Sequence, residues 1–160
     1  MGNSATRVIF LLALFTAPQL QPPKVFSHID GSARAPVELR GRGVRRVSRV
    51  RFTAKLFSQA KTPLRVTMNF FPGVDLIVRW TSVEPVRQPE GLLWKGGVEG
   101  EPESRATLSI SGKTVTGNIN RGNGLIYEIR TAADGQYWVR EVAQKDLPGE
   151  SEPLRPARAK

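Results

Sequence analysis

The chain of 160 residues has no cysteine, which removes disulfides, thiol nucleophiles and cysteine-based zinc sites together. A single histidine, His28, also removes any histidine-rich metal centre. His28 stands near Asp30, but no positioned nucleophile accompanies them, so the pair reads as a surface feature and not as part of a triad. Carboxylates are few and sit mostly in loops. Glu99-Gly100-Glu101-Pro102-Glu103 gathers three of them around a turn without the ligand spacing of a calcium loop, and it reads as a solvated acidic loop. No apolar run reaches the roughly 18 residues that a settled membrane-spanning helix requires. No segment long enough for a three-turn helix carries a helical period. These absences lead to the expectation of a non-catalytic protein with no metal and no cofactor, held together by packing alone.

Positive charge, by contrast, is abundant. Lys and Arg number 24 against 14 Asp and Glu, a formal net charge of +10, which inclines the folded surface toward anionic partners. Six guanidinium groups, Arg40, Arg42, Arg45, Arg46, Arg49 and Arg51, fall within one short stretch, and they are the candidate polyanion-binding residues. The bland reading is solvation: Arg40 to Arg46 in a flexible lead-in, Arg49 and Arg51 on the polar face of a strand. Aromatic interleaving that would add base stacking is thin, because Phe52 belongs to the apolar face of that strand.

At the N-terminus Arg7 precedes the apolar run from Val8 to Phe15, closed by Thr16-Ala17-Pro18, the charged-then-apolar plan of a secretory signal. The alternative is a hydrophobic first strand or helix of the domain. No small-residue cleavage triplet follows closely, since Ala33-Arg34-Ala35 lies far beyond the run. Gly2 and Thr6 match a myristoylation pattern, but that pattern is short and often fortuitous. Segment 1–17 is therefore expected to direct export, to the periplasm or the exterior, and to leave no stable membrane span once cleaved. Residues 18–43, with four prolines and no sustained apolar period, are expected to be a flexible lead-in. Residues 148–160, with three more, are expected to be a flexible tail.

Between these lies a β domain, 44–147. Val50, Phe52, Ala54 and Leu56 alternate with polar neighbours at the strand period of two. Leu64, Val66, Met68 and Phe70 do the same, and after the turn Pro72-Gly73 so do Val74, Leu76, Val78 and Trp80. Gly91 to Val98, Ala106 to Ile110, Val115 to Ile119, Leu125 to Ile129 and Gln136 to Val142 complete eight predicted strands, with Ser111-Gly112-Lys113 and Asp134-Gly135 as turns. Short turns without crossover helices predict an all-β fold of antiparallel hairpins, either a sandwich or a curved, partly closed sheet. Trp80, Trp94 and Trp138 are expected in the core.

Two longer stretches carry a resemblance. Leu64 to Val74 and Gly91 to Pro102, followed by Ala106 to Ile119, Tyr127 to Arg130 and Val139 to Val142, resemble by order and spacing the N-terminal prodomain-like region of secreted bacterial zinc metalloproteases of the reprolysin-like and peptidyl-Asp endopeptidase kind. The similarity covers Val47 to Pro153. In that family a catalytic domain with a His-Glu-x-x-His helix follows. One histidine in all means that no catalytic residue carries over, and the absence of cysteine rules out a cysteine switch. The resemblance implies an exported module that binds, inhibits or assists the folding of a secreted metalloprotease. The alternative, resting on charge, is a basic envelope or surface protein that binds nucleic acid or acidic polysaccharide.

Overall fold

The structure, a computed structural model, describes residues 21–29, 34–58, 61–62 and 64–147. The expected export segment and the expected tail lie outside the described residues, as does Asp30. Nine strands form one sheet: β1 (Phe26–His28), β2 (Val44–Phe52), β3 (Leu64–Phe71), β4 (Val74–Arg87), β5 (Glu90–Val98), β6 (Arg105–Ser111), β7 (Thr114–Asn120), β8 (Leu125–Thr131) and β9 (Tyr137–Ala143). From β3 to β9 each strand pairs antiparallel with the next in sequence, and β2 and then β1 are added beyond β9. The all-β expectation holds, and of its two forms the molecule takes the curved one: a nearly closed barrel.

Turn chemistry sets the meander. Gly73 adopts φ +79° after Pro72, and Gly112, with φ +55° in the two-residue connection between Ser111 and Thr114, supplies the positive φ that a tight hairpin of that hand needs. Alternation then sends Val66, Met68 and Phe70, Val78 and Trp80, Trp94, Leu108, Val115, Ile119, Ile129 and Val139 inward as one continuous core. Between Trp80 and Ser82 a register shift changes the parity of β4. The strand therefore runs on to Arg87 with Val83 packed against the core, well past the Trp80 boundary that alternation alone suggested.

Ring closure follows from counting directions. With eight antiparallel pairings in a row, the ninth strand must meet the first in parallel, and it does so at a single bridge between Lys24 and Thr67. There Thr67 N–H donates to the Pro23 carbonyl at 2.9 Å and Val25 N–H to the Thr67 carbonyl at 3.0 Å. Where the two chains then diverge, the Asn69 amide takes over: its Oδ1 accepts from Phe26 N–H at 2.9 Å and its Nδ2 donates to the Phe26 carbonyl at 2.8 Å. Thr67 and Asn69, expected on a polar outer face, are consequently buried. The core reaches back before Val44 for the same reason: Val25 and Phe26, in the stretch expected as lead-in, are buried members of it.

The strand predicted to run through Leu56 stops at Phe52. Residues after it fold into a single helical turn, α1 (Lys55–Ser58), begun by the Phe57 N–H to Ala54 carbonyl bond at 2.9 Å. That turn places Phe57 among the core residues, 5.5 Å from Phe52 and 5.6 Å from Trp94 between ring centres. An extended strand would have buried Leu56 in its place.

Candidate functional site

β2 distributes the candidate arginines to opposite sides of the sheet. Val50 and Phe52 face the core, so Arg49 and Arg51 face outward by alternation. Arg45 occupies the irregularity between Val44 and Arg46, Arg42 lies in the preceding turn, and Arg40 follows the 3-10 turn Val37–Leu39. Arg40, Arg42, Arg45 and Arg51 are exposed. Among the described residues none of these five makes an ion pair.

Arg46 departs from the group. The register shift sets it opposite Glu141, on the side of the sheet that carries Tyr127 and Val139. Its guanidinium binds the Glu141 carboxylate and lies 4.5 Å from the centre of the Phe71 ring. Glu141 is 6% exposed. Burial by itself would raise its pKa, but hydrogen bonds from Arg46 and the Tyr127 hydroxyl outweigh burial and hold the carboxyl below its usual range. Tyr127 shifts upward, chiefly through burial and then through Glu141, so it stays protonated. An ionised, buried acid against a protonated phenol and the guanidinium of Arg46, which is itself exposed, is a satisfied network, and Arg46 serves the fold.

A second arrangement joins residues that are far apart in sequence. On the outer side of β2 and β9 a cavity of about 350 Å³ is lined by Ile29, Arg34, Ala35, Arg40, Val47, Ser48, Arg49 and Trp138. Arg49 and Trp138 are direct cross-strand partners. Trp138 is 4% exposed yet lies outside the main core cluster, in contrast to Trp80 and Trp94, which meet the expectation of core packing. Arg49 Nη1 donates to Gln136 Oε1 at 3.1 Å. Its Nε and the Trp138 indole Nε1 are buried donors with no partner among the described residues. Among the described residues no carboxylate lines the cavity, and neither Arg34 nor Arg40 forms an ion pair. Elsewhere on the barrel Arg65, Arg121 and Arg140 are bound to Glu99, Glu101 and Glu128, whereas Arg79, Arg87 and Arg105 have no ion pair among the described residues. Those first two pairs also take up two of the three carboxylates of the acidic loop, Glu99 and Glu101.

Sequence reasoning found Arg40 and Arg49 but missed Arg34 and Trp138. Arg34 lies outside the arginine-dense stretch, and Trp138 joins only through the β2–β9 register. His28 is exposed in β1. Among the described residues no cluster of three metal-ligating side chains occurs, and no helix is long and apolar enough to cross a membrane.

No family model matches the chain, and neither a curated protein nor a solved structure matches it.

Proposed function

We propose that this protein is a non-catalytic binding protein for acidic polymers, using the arginine-rich outer side of β2 and the segment before it. The observation that carries the reading is the gathering of Arg34, Arg40, Arg42, Arg45, Arg49 and Arg51 on β2 and the segment before it, none of which has an ion pair among the described residues, while elsewhere on the barrel Arg65, Arg121, Arg130 and Arg140 are matched to carboxylates and only Arg79, Arg87 and Arg105 are not. Concentrated, unneutralised guanidinium charge attracts polyanions and releases their counterions on contact. Acidic polysaccharide fits better than single-stranded nucleic acid: the exposed large apolar residues among those described are Val37 and Leu147, so no aromatic platform for base stacking accompanies the charge. Export by segment 1–17 would bring the protein to such polymers at a cell surface, supported by Arg7 and the apolar run behind it. The metalloprotease-binding reading rests on the sequence resemblance alone. Strand addition to a partner favours a free sheet edge, and here β1 and β3 are joined through Lys24 and Thr67.

The test is retention on a sulfated polysaccharide matrix at rising salt. Wild-type protein is expected to bind and to elute steeply. At a charge density like that of DNA, five contacts would lose roughly 10²- to 10³-fold in affinity between about 50 and 200 mM salt. Replacing Arg40, Arg42, Arg45 and Arg51 by Gln should abolish retention. Removing the same charge elsewhere, from Lys55, Arg79, Arg87 and Arg105, should weaken it only slightly. Equal loss in both variants would reduce the effect to net charge and overturn the assignment of the surface.

A further inference from the structure

We infer that the cavity between Arg34, Arg40, Arg49 and Trp138 is a seat for one tetrahedral oxyanion, a phosphate or sulfate group, and that it anchors the acidic polymer whose neighbouring charges meet the open arginine surface. This deepens the reading above and rests on it. The nitrogen-bearing side chains that line the cavity among the described residues, Arg34, Arg40, Arg49 and Trp138, are donors only. Two of those donors, Arg49 Nε and Trp138 Nε1, are buried without a partner among the described residues. A buried donor with nothing to bind is destabilising unless water or a ligand completes it. Trp80 and Trp94 also carry unpartnered indole nitrogens, but those rings are buried in the core cluster, whereas Trp138 lines an opening.

Charge narrows the ligand. Three guanidinium groups around one cavity repel each other, and a carboxylate would leave most of that charge uncompensated. A phosphate monoester or a free sulfate ion, near a charge of two at neutral pH, comes closer to balance, and a polymer's sulfate ester, with a single charge, is favoured over a carboxylate by its third acceptor oxygen, which lets several forks engage at once. Size fits a group with its carrier attached: about 350 Å³ is roughly ten times the share of one water molecule. The apolar wall of Ile29, Ala35 and Val47 suits the carrier better than the charge. The seat is pre-positioned, because Arg49 is held by Gln136 and by its register with Trp138.

The three indole N–H signals of the labelled protein give a readout specific to the cavity, with Trp138→Phe identifying the signal of interest. Titration with inorganic phosphate and with inorganic sulfate, at ionic strength held constant by sodium chloride, should shift the Trp138 signal saturably and leave those of Trp80 and Trp94 in place. A stronger response to a sulfated polysaccharide than to free sulfate would assign the group to a polymer, and the reverse order would assign it to the free ion. The R34Q/R40Q variant, altered only at exposed side chains, should weaken phosphate or sulfate affinity roughly tenfold or more. A Trp138 signal that stays fixed, that moves equally with chloride, or that responds undiminished in R34Q/R40Q overturns the seat. Polymer retention measured on the same samples separates the two ideas. Retention with a silent Trp138 removes the seat and leaves the surface, whereas a responding Trp138 without retention removes the surface reading and leaves an anion site.

Discussion

Glu141 shows how a single position can be read two ways. In the sequence it is one more acid near the end of the domain. In the barrel it is a buried carboxylate kept ionised by Arg46 and assisted by Tyr127, against the pull of its own burial. Its folded pKa lies below the unfolded one, so it contributes stability that is fully present above the ordinary carboxylate range and is lost as pH falls through the depressed value. Denaturant midpoints measured downward from neutral pH should therefore decline for the wild type below about pH 4.3. Glu141→Gln should start lower, by about 1–3 kcal/mol for a charged hydrogen-bond network left unmade, and should decline less steeply in acid. Parallel acid slopes for the two proteins would show that the network is not what titrates. The same geometry gives Arg46→Gln a distinct phenotype among the six sequence candidates: reduced stability with polymer retention intact.

At the level of elements, legibility followed solvent contrast. β6 and β7 were plain in the sequence because Ala106, Leu108, Val115 and Ile119 are buried while residues between them face water, so the period of two survives. β1 was invisible, since three residues, Phe26 to His28, carry no period and the strand exists only because β2 and Asn69 receive it. α1 was misread as strand because the requirement for a ring beside Trp80 and Trp94 outweighs local alternation at Leu56 and Phe57. Two measurements test these elements. Phe57→Ala removes a fully buried ring and should cost roughly 3–5 kcal/mol, read as a lowered unfolding midpoint. Asn69→Ala leaves the Phe26 N–H and carbonyl without their side-chain partners, and should speed amide exchange at Phe26 far more than at core positions such as Leu108. Uniform acceleration across the barrel would mean that the seam and the barrel open as one unit.

At the level of the whole molecule, the arginines matched to Glu99, Glu101, Glu128 and Glu141 support the barrel, while Arg34, Arg40, Arg42, Arg45, Arg49 and Arg51 gather around β2 without such partners among the described residues. The interior is filled by Trp80, Trp94, Phe57, Phe70 and Met68, so the proposed recognition is external and need not disturb the packing. The cavity itself was not legible in the sequence, because it is assembled across the β2–β9 register from Arg34, Arg40, Arg49 and Trp138. A surface kept for binding carries an electrostatic cost: like charges held together oppose the compact state, more so at low ionic strength. Replacing Arg40, Arg42, Arg45 and Arg51 by Gln should therefore raise the unfolding temperature at low salt while abolishing polymer retention. Added salt should raise the wild-type midpoint toward that of the variant and close the gap. Arginines serving as structural groups would give the opposite sign, with the variant less stable at every salt concentration, and that result would return the cluster to an ordinary solvated face.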